Sequence, residues 1–255
     1  GEPLKLLEEG AKLGSVFGLR LGRQTVGGYS PEWNRMILSD LGTFRSKGSF
    51  SSSTPSLNGG IITTDAPEHR PKRKALDADF HANVVSRLRE QLSEAFQSML
   101  PKGEFEAGAW SSKIALTALN VAYFGGRFPP AELEAFLSPL KSPFPAPLLP
   151  RPLRFARARR LTAQMQAEGH GIAARLDPEE VLIGLAAGYD TTAHTLAWAL
   201  WHAAKNPKWH NAEGNSLLIK ETLRLYPPGF VGSRRAGRGF EFADQAFPEG
   251  VLVLY

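Results

Sequence analysis

Between Asp177 and Asn206 the chain carries one long apolar stretch with both ends marked. Asp177 offers a capping side chain, Pro178 suits the first helical position, and Glu179 and Glu180 place two acids at the positive end of the helix dipole. Glu180 also stands at the capping-box position. The run Val181-Leu182-Ile183-Gly184-Leu185-Ala186-Ala187 follows, and Asn206-Pro207 closes the element. At a rise of about 1.5 Å per residue such a helix is roughly 40 Å long. Its length and apolarity predict that it passes through the interior of its domain.

The middle of this helix breaks the local rule. Residues 187–192 read Ala-Gly-Tyr-Asp-Thr-Thr. A central glycine costs about 1 kcal/mol relative to alanine, and Asp and Thr are weaker helix formers than the residues around them. Unfavourable residues at the centre of a strong element point to function. Gly188 lets a flat group approach the backbone. Asp190 and Thr191 set an acid and a hydroxyl beside it, the parts of a proton relay. The alternative is a kinked helix in which threonine bonds back to the preceding turn.

The rest of the chain reads as shorter elements. Residues 16–21 and 24–29 form a strand pair around a Gly22-Arg23 turn. Ser30, Pro31 and Glu32 start a helix. Residues 42–64, rich in Gly, Ser and Thr, are expected to form a long loop. A mainly helical stretch covers 67–100, a second helix 111–124 and a basic helix about 153–167, with proline-rich loops or short helices over 128–152. A short helix at 217–225 ends at Pro227-Pro228. Phe240-Glu241-Phe242 and residues 251–255 read as two strands joined by a Pro248-Glu249-Gly250 turn. The expected class is α+β, predominantly helical, with a small β portion and one domain over residues 1–255.

Two further constellations carry chemistry. Glu221 and Arg224 share a helix face at i and i+3, a spacing that by itself makes an ordinary surface ion pair. His69 and Arg73 stand i and i+4 at a helix start, where together they could hold the carboxylates of a cofactor; a solvated basic turn is the plainer reading.

Composition excludes several chemistries. The 255 residues contain no cysteine, so disulfides, Cys-type zinc sites and thiol nucleophiles are outside this chain. There is no Gly-x-Ser-x-Gly elbow, no His-Glu-x-x-His helix and no phosphate-binding Lys loop. The net charge of +5 is compatible with nucleic acid. The basic runs at 72–74 and 151–160 nevertheless lack interleaved aromatics, so no nucleic-acid partner is expected. No apolar run reaches the roughly 18 residues of a transmembrane span, and residues 1–10 do not resemble a secretory signal.

Taken in order, the three constellations resemble those of the cytochrome P450 family, with a match running from the hairpin at 16–29 to the strand at 251–255. Residues 187–192 resemble the oxygen-activation motif of that family's long central helix. Glu221 and Arg224 match its Glu-x-x-Arg pair, and His69 and Arg73 the His-x-x-x-Arg that contacts the haem propionates in many bacterial members. The resemblance implies a cytoplasmic monooxygenase with haem b lying against Ala187 and Gly188. Asp190 and Thr191 would deliver protons for oxygen activation, and Glu221 and Arg224 would be structural. Arg234, with Arg235 beside it as the lesser alternative, would be a further propionate arginine. It also implies dioxygen, a hydrophobic small-molecule substrate and a ferredoxin or reductase as electron donor. Substrate-lining residues are expected in the 44–60 loop, the 136–152 stretch, 185–187 and 230–231.

The chain departs from the family in one respect that matters chemically. The proximal iron ligand of the family is a cysteine thiolate, expected beyond the last strand seen here. The joins at 164–176 and 209–216 are also short. The expectation is an incomplete chain, its C-terminal part missing, inactive if these 255 residues are all there is. A haem-free binding protein of the same fold is the alternative, and a basic helical nucleic-acid-binding protein a weaker one.

Overall fold

The computed structural model describes residues 3–20, 24–52, 54, 57, 59–142 and 149–255. In chain order its elements are α1 (Pro3–Ala11), β1 (Val16–Arg20), β2 (Gln24–Gly28), α2 (Pro31–Ser39), β3 (Phe44–Arg45), α3 (His69–Asp77), α4 (Ala82–Arg87), α5 (Arg89–Gln97), α6 (Ala107–Phe124), α7 (Pro130–Leu137), α8 (Pro152–Ala167), α9 (Pro178–Lys205), α10 (Ala212–Leu225), β4 (Ser233–Ala236), β5 (Phe240–Phe242), β6 (Gln245–Phe247) and β7 (Leu252–Leu254). The chain divides into two compact units, one of residues 1–73 with 231–255 and one of residues 74–230.

The first unit is built on a five-stranded sheet in the order β1-β2-β7-β4-β3. β1 and β2 pair antiparallel as expected, while their Gly22-Arg23 turn lies outside the described residues. α2 starts as its sequence dictates: Ser30 Oγ accepts from Trp33 N at 3.1 Å, with Pro31 at the first position. This cap fixes where Trp33 enters the core. Its ring is fully buried among Val26, Ile37, Phe44, Val251 and Val253, and its Nε1 donates to Leu254 O at 2.8 Å. Burying Phe44 alongside it contributes about 2–3 kcal/mol of apolar transfer.

The tail departs from expectation. Phe240–Phe242 does not turn at 248–250 into the last strand. It pairs with Gln245–Phe247 in a separate two-stranded sheet. The turn is Ala243-Asp244, both at positive φ (51° and 58°), as a two-residue hairpin with the right twist requires. β7 instead runs parallel to β2 and antiparallel to β4, a strand that local pattern did not reveal. The expected 42–64 loop contains β3 and short 3-10 turns at 50–52 and 61–63.

The second unit is helical. α6 starts at Ala107, ahead of the expected Ser111, because the Glu106 carboxylate caps it by accepting from Gly108 N and Ala109 N. α10 starts at Ala212 because Asn211 Oδ1 accepts from Gly214 N at 2.8 Å. The mainly helical stretch at 67–100 consists of three helices, α3, α4 and α5. α9 is continuous over its expected span, and Asp177 Oδ1 accepts from Glu179 N at 2.8 Å. It packs most extensively on α6. Only part of α9 lies in the interior: apart from Ala199, its buried residues all lie at or before Ala193.

Candidate functional site

In the second unit, α6 and α9 approach closely at two glycines. A Cβ on Gly184 would stand 2.0 Å from the Tyr123 hydroxyl oxygen, and one on Gly188 would stand 2.9 Å from Leu119 Cδ2. Gly188 therefore turns its Cβ direction toward α6. Tyr123 is buried, and its phenol is pushed up to about 12 by burial first and by the Glu180 carboxylate second. Tyr189, also buried, is shifted upward, again chiefly by burial.

On α9 this packing leaves Ala187 exposed directly after the buried Leu185 and the half-buried Ala186. Thr191 Oγ1 donates to Ala187 O at 2.6 Å, the back-bond to the preceding turn. Thr195 Oγ1 repeats it onto Thr191 O at 2.8 Å. Asp190 is the preceding residue of α9. His194 Nδ1 lies 3.0 Å from the Asp190 carbonyl oxygen and 3.3 Å from its Oδ1. That Oδ1 is shut off from solvent, and His194 Nδ1 is the donor in reach of it. The expected acid and hydroxyl are thus adjacent, next to an exposed alanine.

Glu221 and Arg224 form a two-pronged pair, Arg224 Nε to Glu221 Oε2 at 2.8 Å and Nη2 to Oε1 at 2.7 Å. Each holds the other in its charged form: hydrogen bonding to Arg224 lowers the Glu221 carboxyl, and hydrogen bonding to Glu221 raises the guanidinium. Both side chains are more than half exposed. Near them lies an aromatic group that sequence reading did not anticipate. Trp198 stacks on Tyr226 with ring centres 4.1 Å apart and planes 4° from parallel. Spacing of 198, 202 and 226 across two elements gave no local signal for it.

In the first unit, His69 and Arg73 occupy the start of α3, with His69 N donating to Asp65 O at 2.9 Å. Arg234 lies on β4, half-buried, with its guanidinium carbon 5.8 Å from the Tyr255 ring centre. Among the described residues no group of three or more His, Cys, Asp or Glu side chains could hold a metal ion. No helix there is long and apolar enough to cross a membrane.

No family model matches the chain. Its structure is similar to a six-coordinate cytochrome P450 of Thermus thermophilus, with a TM-score of 0.83 and 22% identity over 99% of this chain and 74% of that one. Its sequence is 29% identical over 89 residues to cytochrome P450 714A2 of Arabidopsis thaliana, a match covering 26% of this chain and 17% of that protein. It is 33% identical over 93 residues to human cytochrome P450 4F11, covering 26% of this chain and 18% of that protein. The matched region is thus about a fifth of these curated relatives' length. The chain has the cytochrome P450 fold, and over about a quarter of its length its sequence is similar to cytochrome P450s of plant and human origin.

Proposed function

We propose that this chain serves in a cytoplasmic haem-dependent monooxygenase that hydroxylates a hydrophobic small molecule. Dioxygen would be the oxidant and an external ferredoxin or reductase the electron donor. The observation that carries the reading is the centre of α9. There the Thr191 hydroxyl, the Asp190 carboxylate and the exposed Ala187 lie within five residues of one another in a chain of this fold.

Haem b, when bound, supplies the oxygen and one-electron chemistry. The small, exposed Ala187 leaves room for a flat group against the helix, whereas Gly188 gives its space to Leu119 of α6. Thr191 holds a proton at its Oγ1, at rest on the Ala187 carbonyl. Asp190 Oδ1 can accept and pass on a proton one residue away. Arg73 and Arg234 supply cationic donors, and His69 a ring N–H donor, suited to propionate carboxylates. Glu221 and Arg224 hold each other and act structurally. These donor and acceptor types fit haem. The iron's thiolate does not come from these 255 residues, which contain no cysteine.

That same absence favours a second reading, a haem-free binding protein on this fold. The reduced, carbon-monoxide-treated absorption spectrum of the protein isolated from its natural source separates the two. The monooxygenase reading expects a Soret band of thiolate type.

A further inference from the structure

The first unit carries a cation cluster that the haem role proposed for His69, Arg73 and Arg234 does not use. β3 and β4 pair antiparallel with Arg45 directly opposite Arg235. Directly opposed residues project to one face, and like charges so placed destabilise a sheet. Both side chains line a cleft of about 990 Å³, together with Lys47, Asp65 and Glu249. Arg234 and Arg235 are successive strand residues and point to opposite faces. The cleft is therefore separate from the face on which Arg234 meets Tyr255.

Arg45, Lys47 and Arg235 are exposed, and three details bear on what the cluster can hold. Arg238, in the same unit, holds Thr43 Oγ1 at 2.7 Å and Asp40 Oδ2 at 3.5 Å, whereas neither Arg45 nor Arg235 has a carboxylate within ion-pair distance among the described residues. Both guanidiniums are bedded against backbone. A Cβ on Gly237 would stand 2.6 Å from Arg45 Nε, and one on Gly48 would stand 3.3 Å from Arg235 Nη1. Of the two carboxylates in the cleft, Asp65 is already engaged by backbone donors, Ser46 N at 2.5 Å and Lys47 N at 3.1 Å. That leaves two guanidiniums and one ammonium in a cleft with a single uncommitted acid, Glu249.

We propose that this cleft binds a phosphate group, as a soluble phosphate monoester or a lipid headgroup. Arg45 and Arg235 each present paired donors to its oxygens, a geometry matched to phosphate. Lys47 adds a point charge at the rim, and the bound dianion relieves the repulsion between the opposed arginines. The inference stands on the first unit alone and does not depend on the haem reading.

Calorimetric titration of phenyl phosphate into the full chain at low salt tests it, with vesicles containing phosphatidate as the second arm. Saturable one-to-one binding of phenyl phosphate is expected. Arg45→Gln with Arg235→Gln should weaken it by about tenfold or more, and Glu249→Gln should tighten it severalfold. Arg238→Gln, outside the cleft, should leave it unchanged. Retention by the vesicles alone, lost in the double variant, assigns the phosphate to a headgroup. Binding to neither probe overturns the proposal, as does equal weakening by Arg238→Gln. Without anion, Arg235→Gln should melt no lower than the parent chain. A lower melting temperature would show that the arginines are structural and would also overturn the proposal.

Discussion

The two halves of α9 are similarly apolar in sequence and fare differently in the fold. The first half, to Ala193, holds Val181, Leu182, Ile183, Leu185 and Tyr189 buried. The second half exposes Trp198 and Trp201 at 38% and 45%. What separates them is the backbone facing each. Gly184 and Gly188 let α6 come close to the first half, with Tyr123 and Leu119 filling the space that a Cβ would take. The second half meets α10 and its tail, where Tyr226 stacks on one face of Trp198 and Trp201 lies edge-on to it, with both tryptophans still partly exposed. Apolar sequence states what a side chain would gain from cover; only close approach of a partner supplies it.

The largest effect should come from closing the approach in the first half. Gly184→Val drives a Cβ into the Tyr123 hydroxyl, and the overpacking should cost about 3 kcal/mol in urea unfolding. A cost near zero would mean that Tyr123 yields and the first half is packed no more tightly than the second.

Next in size is the alkaline limb. The Tyr123 phenol is raised from 10.0 to about 12 in the folded state. The folded chain therefore keeps a proton that the unfolded chain releases. Stability from this group is whole below pH 10 and is lost as pH climbs toward 12, by roughly 2–3 kcal/mol across that window. Tyr123→Phe should flatten that limb of the stability curve. An unchanged slope would place the titration elsewhere.

The smallest effect belongs to the second half. A double-mutant cycle of Trp198→Ala and Tyr226→Ala should return a coupling of about 0.5–1 kcal/mol, the worth of an exposed stack. A coupling of several kcal/mol would erase the contrast between the halves.

What was legible in the sequence was mostly local. Asp177, Ser30 and Pro178 announce helix starts because a cap acts within three residues of itself, and the structure places them so. The acid and hydroxyl at 190 and 191 and the Glu221–Arg224 pair are likewise fixed by helical spacing. What escaped depends on distant partners. The strand at 233–236 is defined by pairing with 44–45 and 252–254, and so is the Arg45–Arg235 opposition. The need for glycine at 184 comes from Tyr123, some sixty residues earlier in the chain. The four-residue spacing of Gly184 and Gly188 was the one local hint of a close helix contact.

The functional account rests on α9 serving as the wall of a haem site whose thiolate comes from outside these 255 residues. The measurement that tests it most directly is a pair of reduced, carbon-monoxide-treated spectra. One is of the protein from its natural source, the other of the 255-residue chain mixed with haem. The account predicts a thiolate-type Soret band in the first and none in the second, because the chain contains no cysteine. A natural protein without that band would contradict it.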